Sequence, residues 1–248
     1  MMRIGTLTPH WPAPGRVRAV FTLRDGGVSA APYGTLNLAA HTGDAPEAVA
    51  ENRRRVRAQL GLPGEPLWLE QVHGAEVIDL DRLAGEGPHR ADAALTRSPG
   101  RVCAVLVADC LSVLLAERRA AAVAVAHAGW RGLAGGVLEA TLQALAVAPA
   151  ELIAWIGPGI GPAHYEVGPE VREAMLAVEP RHAAAFEPNA RGRWQCDLAA
   201  IARQRLYGLG VTKVYGGEGC TFAEPERFFS YRRDGRCGRM AALIWLMP

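Results

Sequence analysis

The chain has 248 residues, half of them hydrophobic, with 27 basic and 25 acidic side chains and a net charge of +2. This is ample apolar material for a sizeable α/β core, and the near-neutral balance excludes a basic nucleic-acid patch or a polybasic membrane surface. The cysteines (Cys103, Cys110, Cys196, Cys220, Cys237) are odd in number, widely spaced and free of any CxxC, the usage of a reduced, cytoplasmic protein. The apolar runs 102–116 and 120–128 fall short of a membrane span, and residues 1–15 hold no apolar core of signal-peptide type.

A first strand is expected over residues 17–23, followed by a turn-rich loop over 24–38. Asp44 and Glu47 have capping-box spacing, with Pro46 in the first helical turn. Val49, Val56 and Leu60 mark the apolar stripe of that helix, and Gly61 stops it. Residues 66–80 read as two strands meeting at His73–Gly74. Residues 102–108 and 111–116 are near-continuous apolar strands, the pattern of a sheet covered on both faces. A strand over 121–126 runs up to His127, the turn GWRG follows, and then a helix of about four turns carries Leu133, Val137, Leu138, Leu142 and Leu145 inward.

Strand 152–156 empties into GPGIGP. Pro169 opens a helix with Val171, Met175 and Val178 on one face, and Asp197 caps another with Leu198, Ile201 and Leu209 inward. Residues 211–215 and 240–246 are late strands. No repeat, low-complexity tract or linker divides the chain. A single α/β (α+β) domain over residues 1–248 is expected, with its site at glycine-rich turns on strand ends.

Three such turns carry reactive side chains: His73 in QVHG, Cys110 in VADC and His127 in AHAGWRG. A thiolate and two imidazoles form a zinc-type ligand set that leaves a fourth position for chemistry. The same residues also suit a Cys110 nucleophile with His127 as its base, glycine-turn amides then forming the oxyanion site. Cys103, mid-strand with no polar neighbour, reads as core. Asp109 and Cys110 would face opposite ways in a regular strand, so a shared site requires a break or bulge there. Asp109 is then a candidate proton carrier, or partner of a ligand histidine.

Other chemistries are excluded. Lys213, the sole lysine, lies in VTKVY and cannot complete a Walker A loop. HExxH, GxSxG and the zinc-deaminase signature are absent. GPGIGP has Pro162 where a dinucleotide loop needs its third glycine. Arg232 and Arg233, beside Arg236 and Arg239, are candidates for an anion clamp. Arg24 and Asn37 flank the early glycine loop as further candidate substrate residues.

The segments TLRDGGVS (22–29), LNL (36–38), WLEQVHG (68–74), RADA (90–93), ADCLSVLL (108–115), AHAGWRGL (126–133), IGPGIGPAHYEVG (156–168) and CTFAEPERFFSYRRDGRCGRMAALIWL (220–246) closely resemble the YfiH-like family. That family is also called the polyphenol-oxidase or laccase-domain family, and the purine nucleoside phosphorylase YfiH family. The resemblance implies a mixed β-sheet flanked by helices, related to a cysteine-hydrolase-like toxin deamidase. It implies zinc, with copper as the alternative ion, held by His73, Cys110 and His127. It further implies phosphorolysis of adenosine, inosine, guanosine and methylthioadenosine to free base and ribose 1-phosphate, and deamination of adenosine. Purine nucleosides and phosphate are then the partners, with no nucleic acid and no membrane. A cysteine-dependent hydrolase or amidase acting on cell-wall precursors is the alternative. Ser112 departs from the family, which usually has proline there, and Cys237 stands where threonine is usual. Seven histidines, none in a His-x-His pair, are too few for a laccase copper cluster beside a blue-copper site.

Overall fold

The computed structural model describes residues 3–83 and 87–248. In chain order its strands are β1 Thr6–Leu7, β2 Val17–Thr22, β3 Val77–Asp79, β4 Ala93–Thr96, β5 Val102–Val107, β6 Leu111–Glu117 and β7 Val123–Ala128, then β8 Leu152–Ile156, β9 Glu166–Val167, β10 Phe186–Pro188, β11 Trp194–Cys196, β12 Lys213–Gly216 and β13 Met240–Leu246. The helices are α1 Pro46–Leu60, α2 Trp130–Ala134, α3 Val137–Leu145, α4 Pro169–Val178, α5 Leu198–Gly208 and α6 Tyr231–Asp234.

Strands β1-β2-β13-β5 form an antiparallel sheet of four. The mixed sheet that the resemblance implied is the larger one, ordered β12-β8-β6-β7-β4-β3, with parallel pairs at its two edges and antiparallel pairs between. A small antiparallel sheet, β10-β11-β9, stands apart from both.

Period-two alternation sends each strand's side chains into two different cores. From β5, Val102, Ala104 and Leu106 meet Leu36, Leu38 and Val56 on the α1 side. Their neighbours Cys103, Val105 and Val107 face Leu114, Val123, Val125 and Trp155 of the larger sheet. That sheet's far face, with Val113, Leu115, Ala124 and Ala154, packs under Leu138, Leu142, Met175 and Ile201 of the helices. The order of layers is therefore helix, sheet, sheet, helices. Both sheets are covered twice, which is why 102–107 is an unbroken apolar run and 111–116 is interrupted only by Ser112. Each large side chain buried this way contributes about 1.5–3 kcal/mol.

Several expected details differ. Ala45, not Asp44, caps α1, because the Asp44 carboxylate accepts from Ser29 Oγ at 2.6 Å and Asn37 Nδ2 at 3.0 Å in the preceding loop. Residues 66–80 supply only single bridges at Leu67 and Glu70 and the short β3; His73, at φ +60°, turns the backbone out of extended geometry. Strand β7 does not stop before His127 but continues to Ala128, so His127 lies inside the sheet opposite Ser112. The helix expected over 132–146 is two helices. Gly136, at φ +86°, breaks it between α2 and α3, and GWRG supplies the cap and first turn of α2. Val178 faces solvent at the end of α4.

Candidate metal centre

Cys110 occupies the turn between β5 and β6. Asp109 has φ +93°, so the strand breaks where a shared site required it. The Asp109 carboxylate does not reach an imidazole. It accepts from Thr221 Oγ1 and from the backbone N–H of Arg232, both at 2.6 Å. The GPGIGP loop props this turn from below: the Ile160 N–H donates to Asp109 O at 2.9 Å. A Cβ on Gly159 would stand 2.5 Å from Leu111 Cδ2 and 3.0 Å from Asp109 O, so only glycine fits.

His73, Cys110 and His127 converge, with one donor atom from each lying within 4.8 Å of the others. Among the described residues they are the one such group. The two imidazole rings stand 4.8 Å apart at 74°. His127 is buried, Cys110 half-buried and His73 exposed, so the cluster opens to solvent on one side. Gly129 keeps the space beside the sulfur clear: a Cβ there would lie 2.7 Å from Cys110 Sγ and 3.5 Å from His73 Cδ2.

Asp92 organises both histidines, and sequence reasoning missed it. It is fully buried at the start of β4. Its Oδ1 lies 2.7 Å from His127 Nδ1 and accepts the His73 amide at 3.0 Å. Its Oδ2 accepts the amides of Val72 at 3.1 Å and Gly74 at 2.7 Å. The available signal was a lone acid flanked by alanines ahead of an apolar strand, since a buried carboxylate needs partners.

The electrostatics follow from these contacts. Burial pushes the Asp92 carboxyl up, but the His127 hydrogen bond and the Gly74 and Val72 amides outweigh it and hold the group below its ordinary value. Burial also raises the Cys110 thiol, yet His127 and His73 bring it down to about 6. Burial disfavours charged His127, but the neighbouring sulfur and Asp92 lift it to about 9. Cys103, by contrast, is driven far up by burial and stays a thiol.

The donor set fits a tetrahedral metal ion. With Zn–S near 2.3 Å and Zn–N near 2.0 Å, such an ion spaces its ligand atoms roughly 3.5 Å apart, and the cluster needs only a small contraction to reach that. Asp92 on Nδ1 leaves Nε2 of His127 for the metal, the carboxylate–histidine arrangement of zinc sites.

The cluster forms the floor of a cleft of about 510 Å³. Its walls bring aromatic rings (Trp130, Tyr165, Tyr231) together with His41, Arg131, Arg232 and Arg239. Trp130, read as core from the sequence, packs on the core and also lines the cleft. Of the expected substrate residues only Arg232 lies here. Arg24 donates to the carbonyls of Gly34 and Pro225 and stacks on Phe229. Asn37 is buried and ties Ala39, Thr42 and Asp44 to the Arg239 amide. Arg233 donates to the carbonyls of Thr221, Phe222 and Phe228 and pairs with Asp234. All three have their polar groups engaged by the protein's own loops, so the anion clamp drawn from Arg232 and Arg233 together does not form. Arg131 was missed because the exposed face of a short helix carries no sequence signal.

Residues 18–247 match the family model described as multi-copper polyphenol oxidoreductase laccase. The chain is 51% identical over 243 residues to the Escherichia coli (strain K12) protein named purine nucleoside phosphorylase YfiH, covering 97% of this chain and 98% of the relative. It is 52% identical to a purine nucleoside phosphorylase of Pseudomonas aeruginosa, with the same coverage of both chains. Among solved structures, a Neisseria meningitidis protein superposes with a TM-score of 0.93 at 47% identity, over 98% of this chain and 100% of that one. YlmD from Geobacillus stearothermophilus gives 0.91 at 32% identity, over 98% and 97%. The family-model match over nearly the whole chain, the full-length relatives and the superposed structures show that this chain belongs to the YfiH family.

Proposed function

We propose that the cleft cleaves purine nucleosides by phosphorolysis, with zinc held by His73, Cys110 and His127. The observation that carries this reading is the convergence of these three donors at the floor of a cleft whose walls are aromatic and cationic. Aromatic rings suit a purine, and unpaired guanidinium groups suit a phosphate. Full-length relatives at about 50% identity carrying the phosphorylase name support it. Adenosine, inosine, guanosine and methylthioadenosine are the proposed substrates. Deamination of adenosine, exchanging its amino group for an oxygen from water, belongs to the same proposal.

In the reaction an oxygen of phosphate bonds to C1′ of the sugar as the C1′–N9 bond breaks. The electron pair of that bond leaves with the purine, which takes up a proton, and ribose 1-phosphate remains. A bound zinc would supply a Lewis acid that polarises an oxygen or ring nitrogen placed at its open position. The chain's own side chains do the rest. Asp92 fixes the tautomer and orientation of His127 and holds the His73 turn. Trp130 and Tyr165 wall the cleft against water. The cleft's guanidinium groups hold the anion in line with C1′. The family model's multi-copper description fits poorly, since such a cluster needs more imidazoles than His41, His73 and His127 supply.

The decisive test is adenosine with and without phosphate on protein whose metal has been quantified. Adenine release that requires phosphate, with about one zinc per chain, is expected for the wild type and is lost in His73→Ala. No release from any purine nucleoside in zinc-loaded protein would overturn the reading.

One observation favours a second reading. Cys110, His127 and Asp92 form a thiolate, imidazole and carboxylate relay, with the thiol lowered to about 6. That is the arrangement of a cysteine hydrolase. Stoichiometric zinc on the sulfur argues against it; turnover of an amide substrate by metal-free protein would establish it.

A further inference from the structure

The walls of the cleft contain two guanidinium groups and a phenol whose hydrogen-bonding capacity the described residues leave wholly or partly unused. The guanidinium of Arg131, on α2, makes no hydrogen bond and no ion pair among the described residues; its carbon lies 4.4 Å from the Trp130 ring centroid. Arg232 spends Nη1 on the carbonyl of Glu166 at 2.8 Å, and its Nε and Nη2 have no partner among the described residues. Its guanidinium lies over the Tyr165 ring at 5.2 Å. Tyr165 is 8% exposed, and its hydroxyl has no partner among the described residues. The hydroxyl is not sealed off, so it can donate to a ligand in the cleft that Tyr165 lines.

These groups share one neighbourhood. Burial and the Cys110 sulfur push the Tyr165 phenol up, while Arg232 and Arg131 act on it in the opposite sense. All of them line the cleft that holds the metal cluster. Its one carboxylate, Asp109, is fully engaged by Thr221 and the Arg232 amide. The guanidinium groups of Arg131 and Arg232 thus line the cleft without an ion-pair partner among the described residues, with Asp109 as the one carboxylate beside them. Arg239 belongs to a different corner of the cleft: its Nη1 donates to the carbonyls of Cys237 and Gly238, and its guanidinium lies over the Tyr231 ring at 5.7 Å.

We propose that Arg131, Arg232 and Tyr165 form a phosphate subsite that takes inorganic phosphate as co-substrate beside Cys110. Two guanidinium forks match the paired oxygens of a tetrahedral dianion, and the phenol donates to a third. This rests on the phosphorolysis reading and names the residues that hold its second substrate.

The test uses the zinc-loaded enzyme and the variants Arg131→Gln, Arg232→Gln and Tyr165→Phe, with Arg119→Gln, on the surface, as control. Arg232→Gln keeps the backbone amide that Asp109 accepts. The KM for phosphate is expected to rise roughly tenfold in each arginine variant and severalfold in Tyr165→Phe, with the KM for nucleoside held within about twofold and melting temperatures unchanged. Calorimetric titration with inorganic phosphate, without nucleoside, reads the same subsite independently of turnover. Phosphate binding that weakens in the variants of an enzyme releasing no base would uphold the subsite and remove the phosphorolysis reading. Base release with an unchanged phosphate KM in all three variants would overturn the subsite alone. Wild-type protein that binds nucleoside 5′-monophosphates but not inorganic phosphate would also overturn it, since the anion would then arrive attached to the nucleoside.

Discussion

The Asp92 carboxylate and the His127 ring meet at 2.7 Å, and the same oxygen receives the His73 amide at 3.0 Å. One buried acid thus fixes two of the three metal donors, one through its ring and one through its backbone. Asp92→Asn keeps the shape and removes the charge. It is expected to weaken zinc binding roughly 10- to 100-fold, read by metal retention during dialysis against a graded chelator. Asp92→Ala also leaves three amides unpaired and lowers stability by about 3 kcal/mol or more. The folded-state pKa of Asp92 is depressed, so its contribution is present above the ordinary value of about 3.9 and is lost as pH falls through the lower folded value. Wild-type stability should therefore fall more steeply below about pH 4 than that of Asp92→Asn, measured by denaturant titration across the acid range.

Gly129→Ala tests the space beside the sulfur. The new methyl would sit 2.7 Å from Cys110 Sγ, closer than non-bonded contact allows. Gly129 itself has extended backbone dihedrals that alanine adopts freely. Zinc content and base release should both drop at least tenfold, while the melting temperature moves by only a few degrees. An alanine variant with full metal content would show that the sulfur has room to move.

The cysteines separate by environment. In metal-free protein the Cys110 thiol, lowered to about 6, is largely thiolate at pH 7 and should react with iodoacetamide there, slowing as pH falls below 6. Cys103 is driven up by burial and Cys196 to about 12, so both should stay unmodified in the folded chain. Peptide mass spectrometry reads the pattern, and added zinc should protect Cys110. Labelling of Cys196 ahead of Cys110 would contradict the site's electrostatics.

Ser112 lies opposite His127 in the sheet, and its hydroxyl is buried without a partner among the described residues. A Cβ at Gly157 would collide with that oxygen, so the neighbouring backbone is already tight against it. Ser112→Ala removes an unsatisfied polar group and should leave stability unchanged or raise it by about 1 kcal/mol, with zinc content unaltered. A loss of more than about 1 kcal/mol would mean that the hydroxyl has a partner in solution.

The legibility of the site divides along physical lines. His73, Cys110 and His127 each sit where an apolar run gives way to a glycine- or aspartate-marked turn, so local pattern alone singled them out. Asp92 and Arg131 act through contacts made only after β4 meets β7 and α2 lies over the cleft, and no local pattern encodes them. Arg24, Asn37 and Arg233 looked like free donors because a sequence does not show which backbone carbonyls a side chain will meet. In the fold, two-sided burial of 102–107 and 111–116 was readable from their near-continuous apolar composition. The break after α2 was also written in the chain, as the adjacent pair Gly135–Gly136, but the leucine spacing beyond it continued the helical period and masked the stop.

His73 lies on a loop, Cys110 in a turn between two strands of different sheets, and His127 inside a third strand. An ion bound to all of them would cross-link remote stretches of polypeptide much as a disulfide does, but with a strength set by supply. Each tenfold rise in free zinc above the dissociation constant would add about 1.4 kcal/mol to the folded state. The resistance of this protein to unfolding would then report the metal status of its surroundings.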